Sequence, residues 1–198
     1  MNLLLVAATE AEIEPLIKSF DIIGSADKTL RSYSYKNLQI DVLITGPGMT
    51  ATAYHLGKVL AKNKYDLALN IGIAGAFNQN LALGGVVNVV SDCFADSGAE
   101  DDEKFLSMFD LGLQESDAFP FVNGKLHGTK RYESLPSAKG ITVNTVHGNE
   151  EHIRKTKMLY APDVESMEGA AFLYACLSEN LPCSQIRAIS NYVEKRNK

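Results

Sequence analysis

Short apolar runs of strand length alternate along the chain with stretches in which apolar residues recur every three or four positions, the pattern of strands alternating with helices. Residues 3–8 form the first run. The Thr9-Glu10-Ala11-Glu12 that follows has the spacing of a capping box, with Thr9 as N-cap and Glu12 three residues on. Pro15 removes one hydrogen bond, to the Ala11 carbonyl, so a kink or a short first turn is expected in this helix. Residues 33–44 read as a hairpin that turns at Lys36-Asn37 and returns through an alternating, then apolar strand over 38–44, which Thr45-Gly-Pro-Gly48 ends. Residues 50–61 carry Ala53, Leu56, Val59 and Leu60 at helical spacing, interrupted only by Gly57. Residues 67–73 are the next strand, closing on Gly72-Ile-Ala-Gly75, where small side chains let a ligand approach backbone N–H groups.

The second half begins with a strand over 86–90, after the turn at Gly84-Gly85. Beyond Ser91-Asp92 the sequence is acidic and irregular through Asp96, Glu100, Asp101, Asp102 and Glu103. Residues 105–109 read as one helical turn, and Phe119-Pro-Phe121 lies in a long loop, either anchoring it or covering a ligand as a lid. A strand over 141–146, a helix over 150–160, a helix over 168–179 and a last strand over 184–190 complete the pattern. At residues 164–171 (Val-Glu-Ser-Met-Glu-Gly-Ala-Ala) an apolar-led segment runs into two acids and then into helix-forming sequence. Ser166 is the expected N-cap and Glu168 falls in the first turn, where it either complements the helix dipole or meets a ligand. The class expected is α/β, a mostly parallel sheet with helices on both faces, in which Thr9, Gly72, Ser166 and Asn191 lie along one edge, at strand carboxyl ends.

Composition narrows the function. With 198 residues, 45% of them hydrophobic, the chain is expected to form one domain with its own core. A net charge of −5 without basic runs argues against nucleic acid or an anionic membrane as partner and favours a small molecule. The run over 3–8 lacks a basic flank and is too short to span a bilayer, so it reads as a strand and the protein as cytoplasmic. Cys93, Cys176 and Cys183 are scattered and expected as buried thiols. His147 and His152 have no third ligand at metal spacing, so neither metal nor cofactor is expected.

Ala8-Thr-Glu-Ala-Glu12, Asn70-Ile-Gly-Ile-Ala-Gly75, Val164-Glu-Ser-Met-Glu-Gly169 and Arg187-Ala-Ile-Ser-Asn191 together resemble, in order and spacing, the nucleoside phosphorylase and nucleosidase superfamily, over nearly the whole chain. Val-Glu-Ser-Met-Glu-Gly-Ala-Ala and Ile189-Ser-Asn-Tyr-Val-Glu-Lys-Arg-Asn197 are most similar to its futalosine hydrolases, of the alternative menaquinone pathway; the methylthioadenosine and S-adenosylhomocysteine nucleosidases are close relatives. The resemblance implies a three-layer α/β/α sandwich with a central mixed, mostly parallel sheet, a site built partly across the interface of a homo-oligomer, and hydrolysis of a purine N-glycosidic bond. It places Glu168 on the ribose 2′- and 3′-hydroxyls with Met167 beside the sugar, Glu12 beside the attacking water, and Ile73, Ala74, Gly75 and Val146 against the nucleoside. Asn191 takes the position of the relatives' general-acid aspartate. An amide has no titrating proton, so Asn191 can only hydrogen-bond the departing base, or else end the strand in an Asx turn. Asn70 and Ile73, with Glu10 and Glu12 nearby, occupy positions where the phosphorylases gather charge for phosphate, and carboxylates repel that anion, so water is the expected acceptor. Members of the group continue through a tryptophan and a final helix. This sequence has no Trp and stops at Lys198, so a domain over 1–198 without that helix, frayed over 192–198, is expected.

Overall fold

The computed structural model describes residues 1–25 and 28–195. In chain order the elements are β1 (Asn2–Ala7), α1 (Glu10–Ile17), β2 (Asp21–Ser25), β3 (Leu30–Tyr35), β4 (Leu38–Ile44), α2 (Met49–Leu60), β5 (Leu67–Ala76), β6 (Val86–Asp92), β7 (Gly98–Asp101), β8 (Lys104–Ser107), β9 (Leu126–His127), β10 (Ser137–Thr142), α3 (Glu150–Tyr160), β11 (Val164–Ser166), α4 (Gly169–Ser178) and β12 (Cys183–Tyr192). One sheet takes the order β11-β10-β6-β12-β5-β1-β4-β3-β2, with β9 added beside β6.

The apolar run of β1 is continuous because both of its faces are covered. Leu3, Leu5 and Ala7 pack with Ile13 and Ile17 of α1 and with Tyr33, Ile40 and Val42, while Leu4 and Val6 face Leu56, Val59 and Leu60 of α2 and Phe172, Leu173 and Cys176 of α4. Phe172 and Leu173 are wholly enclosed, each burial worth about 2 kcal/mol. All three cysteines are free and buried. Among the described residues no helix is long and apolar enough to cross a membrane.

The sheet is mixed, as expected, but its parallel pairings do not outnumber the antiparallel ones. β4-β1-β5-β12 and β6-β10-β11 run parallel, whereas β2-β3-β4, β6-β12, β6-β9 and β5-β11 are antiparallel. Because β11 pairs with both β10 and β5, the strands β5, β12, β6, β10 and β11 close into a ring, a barrel-like feature absent from a simple layered sandwich. Ala74, Ala76, Val87, Val89, Ala138, Val164 and Ile189, drawn from all five strands, cluster together.

Four local expectations change. An edge strand, β2, precedes the hairpin, which itself starts at Leu30. The acidic stretch is ordered as the β7–β8 hairpin, with Asp102 at φ 54 in its turn, and Phe105 belongs to β8 and not to a helical turn. β10 lies four residues earlier than expected, which leaves Val146 and His147 in the loop before α3. At the other end, β12 runs on through Tyr192, and Val193 is buried with its N–H bonded to the Ala76 carbonyl, so this part is held and not frayed; Arg196, Asn197 and Lys198 lie outside the described residues. In the long loop Phe121 is buried against Phe94, Phe109 and Tyr174 as an anchor, and Phe119 is exposed.

Candidate active site

Glu12 projects from the first turn of α1 because Thr9 starts the helix there. Its Oε2 accepts hydrogen bonds from the Thr9 N–H (2.8 Å) and hydroxyl (3.0 Å), the Glu12 half of the expected capping box. Its Oε1 reaches further, accepting from the backbone N–H of Ile73 on β5 at 3.2 Å. The capping and site readings of Glu12 therefore coexist: the cap aims the carboxylate at β5.

Glu168 is itself the N-cap of α4, two residues beyond the expected cap Ser166, which ends β11 and whose hydroxyl accepts from the Gly169 N–H at 3.3 Å. The Glu168 side chain is only 6% exposed, and its Oε1 accepts from the Gly48 N–H at 2.9 Å. The Thr45-Gly-Pro-Gly48 loop thus serves the site as well as ending β4. Asn191 lies at a bulge of β12, where the register against β5 shifts between Ile189 and Asn191. Ser190 Oγ donates to its Oδ1 at 2.8 Å and its Nδ2 donates to the Tyr192 carbonyl at 3.0 Å, which fixes the amide's orientation and leaves one Nδ2 hydrogen uncommitted.

These groups share one cleft of about 450 Å³, lined by Glu12, Ile73, Ala74, Gly75, Val146, Met167, Glu168 and Asn191 together with Thr9, Pro47, Glu165, Ser166 and Ser190 among others. All eight residues that the resemblance assigned to the site line it, whereas Glu10, Asn70, Gly72 and His152 do not. Among the described residues no lysine or arginine lines it, and the charges on its lining are the carboxylates of Glu12, Glu165 and Glu168.

Four participants were not assigned from sequence. Arg187 is 1% exposed beneath the cleft; its Nη2 donates to Asn70 Oδ1, and Asn70 Nδ2 in turn donates to the Val6 carbonyl at 3.0 Å. Burial pulls the guanidinium below its usual value, and the fields of Glu168, Asp92 and Glu12 oppose that shift. Arg187 is thus the counter-charge that makes buried carboxylates tolerable here. Gly72 is what admits it, since a Cβ there would stand 2.4 Å from Arg187 Nη1 and 3.0 Å from Glu12 Oε1. Asp92 accepts from Thr142 Oγ1 at 2.9 Å, and Thr142 Oγ1 accepts from the Ala170 N–H at 2.7 Å, tying β6 and β10 to the start of α4. Glu165 and His147 form a pair at the cleft wall, Nδ1 to Oε2 2.6 Å, with His147 Nε2 2.9 Å from Thr156 Oγ1, so His147 is a structured partner and no bare surface histidine. His152 is exposed on α3, its N–H capped by Asn149. The one signal in the sequence was Arg187 itself: a charge inside an apolar strand must be paired.

The Phosphorylase superfamily matches residues 2–198 of this chain. The chain is 32% identical over 159 residues to the futalosine hydrolase of Thermus thermophilus, covering 79% of this chain and 71% of that protein, and 29% identical over 204 residues to the futalosine hydrolase of Acidothermus cellulolyticus, covering 98% and 81%. Its fold is like that of the Campylobacter jejuni 5′-methylthioadenosine/S-adenosylhomocysteine nucleosidase, with a TM-score of 0.80 at 20% identity over 100% of this chain and 89% of that one. The chain belongs to the phosphorylase superfamily, and within it to the N-glycosidic hydrolases.

Proposed function

We propose that the cleft hydrolyses the N-glycosidic bond of futalosine and releases hypoxanthine, the step this enzyme would supply to the alternative menaquinone pathway. The observation that carries the proposal is the pairing of two carboxylates, Glu12 and Glu168, with an amide, Asn191, around one cleft that no described lysine or arginine lines.

Cleavage through an oxocarbenium-like state needs the ribose held, a water poised at the anomeric carbon, and the departing purine stabilised as it gains charge. Glu168 keeps Oε2 for the ribose hydroxyls while Gly48 occupies Oε1, and Met167 packs beside the sugar. A carboxylate offers about four acceptor sites, of which Glu12 spends one on Ile73 and two on Thr9, leaving one for a water that it orients and deprotonates. The free Nδ2 hydrogen of Asn191 donates to purine N7, so the leaving group is helped by hydrogen bonding and not by a titrating acid. Phosphate is a poor acceptor beside Glu12 and Glu168, and Asn70 is already committed to Arg187 and Val6. Leu113, Phe119 and Val122 are exposed apolar side chains near one another in sequence, which fits a second copy of the chain completing the assembly.

The test is base release from purified protein given futalosine beside methylthioadenosine. Hypoxanthine release with the larger kcat/KM supports the proposal. Preferred adenine release would make the chain a methylthioadenosine nucleosidase, and tight nucleoside binding without release would make it a non-catalytic binding module.

A further inference from the structure

Glu168 is the N-cap residue of α4, yet its side chain does not cap the helix. The first N–H groups of a helix have no partner inside it, and an N-cap side chain ordinarily turns back to accept from one of them. The Glu168 carbonyl does its part, accepting from the Phe172 N–H at 2.9 Å, but the carboxylate is committed elsewhere, to the Gly48 N–H.

Other residues take over that duty. The Gly169 N–H donates to Ser166 Oγ at 3.3 Å, and the Ala170 N–H donates to Thr142 Oγ1 at the much shorter 2.7 Å. The Thr142 hydroxyl is aimed from behind. It has one hydrogen, which it gives to Asp92 Oδ1 at 2.9 Å, so its lone pairs are left for Ala170. Asp92 is fixed in turn, accepting from the Cys93 N–H at 2.8 Å and from Gln185 Nε2 at 3.0 Å. The Thr142 backbone is also held, its N–H on the Cys93 carbonyl at 2.9 Å and its carbonyl on the Ala95 N–H at 3.0 Å. Two glycines make room for the acid beside the helix mouth. A Cβ on Gly140 would stand 3.0 Å from Asp92 Oδ2, and one on Gly169 would collide with that oxygen and with Gln185 Oε1. Thr142, Asp92 and Ala170 are all buried, so bulk water does not compete for these bonds.

We propose that Thr142, oriented by Asp92, is a positioning residue for the reaction: it supplies the helix cap in place of the Glu168 side chain and so keeps that carboxylate free for the ribose hydroxyls. The inference rests on reading Glu168 as the ribose acceptor. Without the Thr142 hydroxyl the Ala170 N–H is buried with no acceptor, and the side chain of its own N-cap residue is the group that helix geometry places to serve it. The carboxylate then turns to the helix and the ribose loses its partner.

The test is steady-state kinetics of the wild type, Thr142→Val, Thr142→Ser, Glu168→Ala and the double variant Thr142→Val/Glu168→Ala. The substrates are whichever of futalosine and methylthioadenosine the wild type cleaves faster, and its 2′,3′-dideoxy analogue. Thr142→Val keeps the shape of the side chain and drops the hydroxyl. Its kcat/KM on the ribosyl substrate should fall by about tenfold or more, chiefly through KM, and by less than about threefold on the dideoxy analogue. Thr142→Ser should restore the wild-type values, and in the Glu168→Ala background Thr142→Val should add less than about twofold. Wild-type kinetics in Thr142→Val, equal losses on the two substrates, or a loss undiminished in the Glu168→Ala background each overturn the proposal. If any of these occurs while Glu168→Ala itself shows a ribose-dependent loss, the ribose reading stands and only this inference fails. Equal losses for Glu168→Ala on both substrates, or no base release from either nucleoside by the wild type, sink both. Thermal melting checks the fold of each variant; should Thr142→Val not fold, Thr142→Cys, whose thiol is a weak acceptor, carries the same outcomes.

Discussion

Glu12 accepts a hydrogen bond from the backbone N–H of Ile73 at 3.2 Å, joining the first turn of α1 to the strand that floors the cleft. With Thr9 on the other oxygen, both carboxylate oxygens act as acceptors. Glu12→Gln is therefore not neutral for the fold, since its NH2 must face one of these donors, at a cost of about 1 kcal/mol. Turnover should fall by about a hundredfold or more, because an amide takes no proton from water. Chemical denaturation beside steady-state kinetics separates the two effects, and a rate near wild type would leave Glu12 as a cap only.

Gly72→Ala tests the close packing beneath the cleft. The added Cβ would stand 2.4 Å from Arg187 Nη1, whose side chain is buried and tied to Asn70 and cannot swing away. A loss of about 1–3 kcal/mol in unfolding free energy is expected, with turnover impaired through Glu12. Full stability in urea denaturation would show that Arg187 has freedom the packing denies it.

Glu168→Ala removes the acceptor proposed for the ribose hydroxyls and leaves the Gly48 N–H without its partner. The kcat/KM on a ribosyl substrate should drop by at least tenfold, and the drop should shrink on the 2′,3′-dideoxy analogue. Equal losses on the two substrates would return Glu168 to being a helix-end residue.

Asp92 gives a pH signature. Burial pushes its carboxyl up to about 6, against hydrogen bonds from Gln185 and Thr142, the field of Arg187 and the Cys93 N–H. Between about pH 4 and about pH 6 the folded protein then holds a proton that the unfolded chain has lost, so this group's contribution to stability falls as pH rises through that window and levels above it. Asp92→Asn should flatten the fall. Unfolding free energies of both proteins across the window measure the difference, and an unchanged slope would assign the pH dependence elsewhere.

What the sequence made legible follows from where burial and local hydrogen bonding write a pattern. β1 is readable because both faces are covered, and Thr9-x-x-Glu12 because a cap is local. The edge strand β2 and the hairpin strand β7 are exposed at every residue, so no alternation marks them, and acidic side chains disguised β7 as loop. The cleft residues were legible through motif order. Their supports were not: His147 meets Glu165 across 18 positions, Arg187 meets Asn70 across 117, and Asp92 meets Thr142 across 50, contacts that only the assembled sheet creates. The closure of the sheet, through β11 pairing with β5, likewise has no local signature in a three-residue strand.

The most direct measurement of the central claim is hypoxanthine release from futalosine in phosphate-free buffer, followed against time with adenine release from methylthioadenosine in parallel. Turnover should need no phosphate, with futalosine the better substrate by kcat/KM. Release that begins only when phosphate is added, or that favours methylthioadenosine, would contradict it.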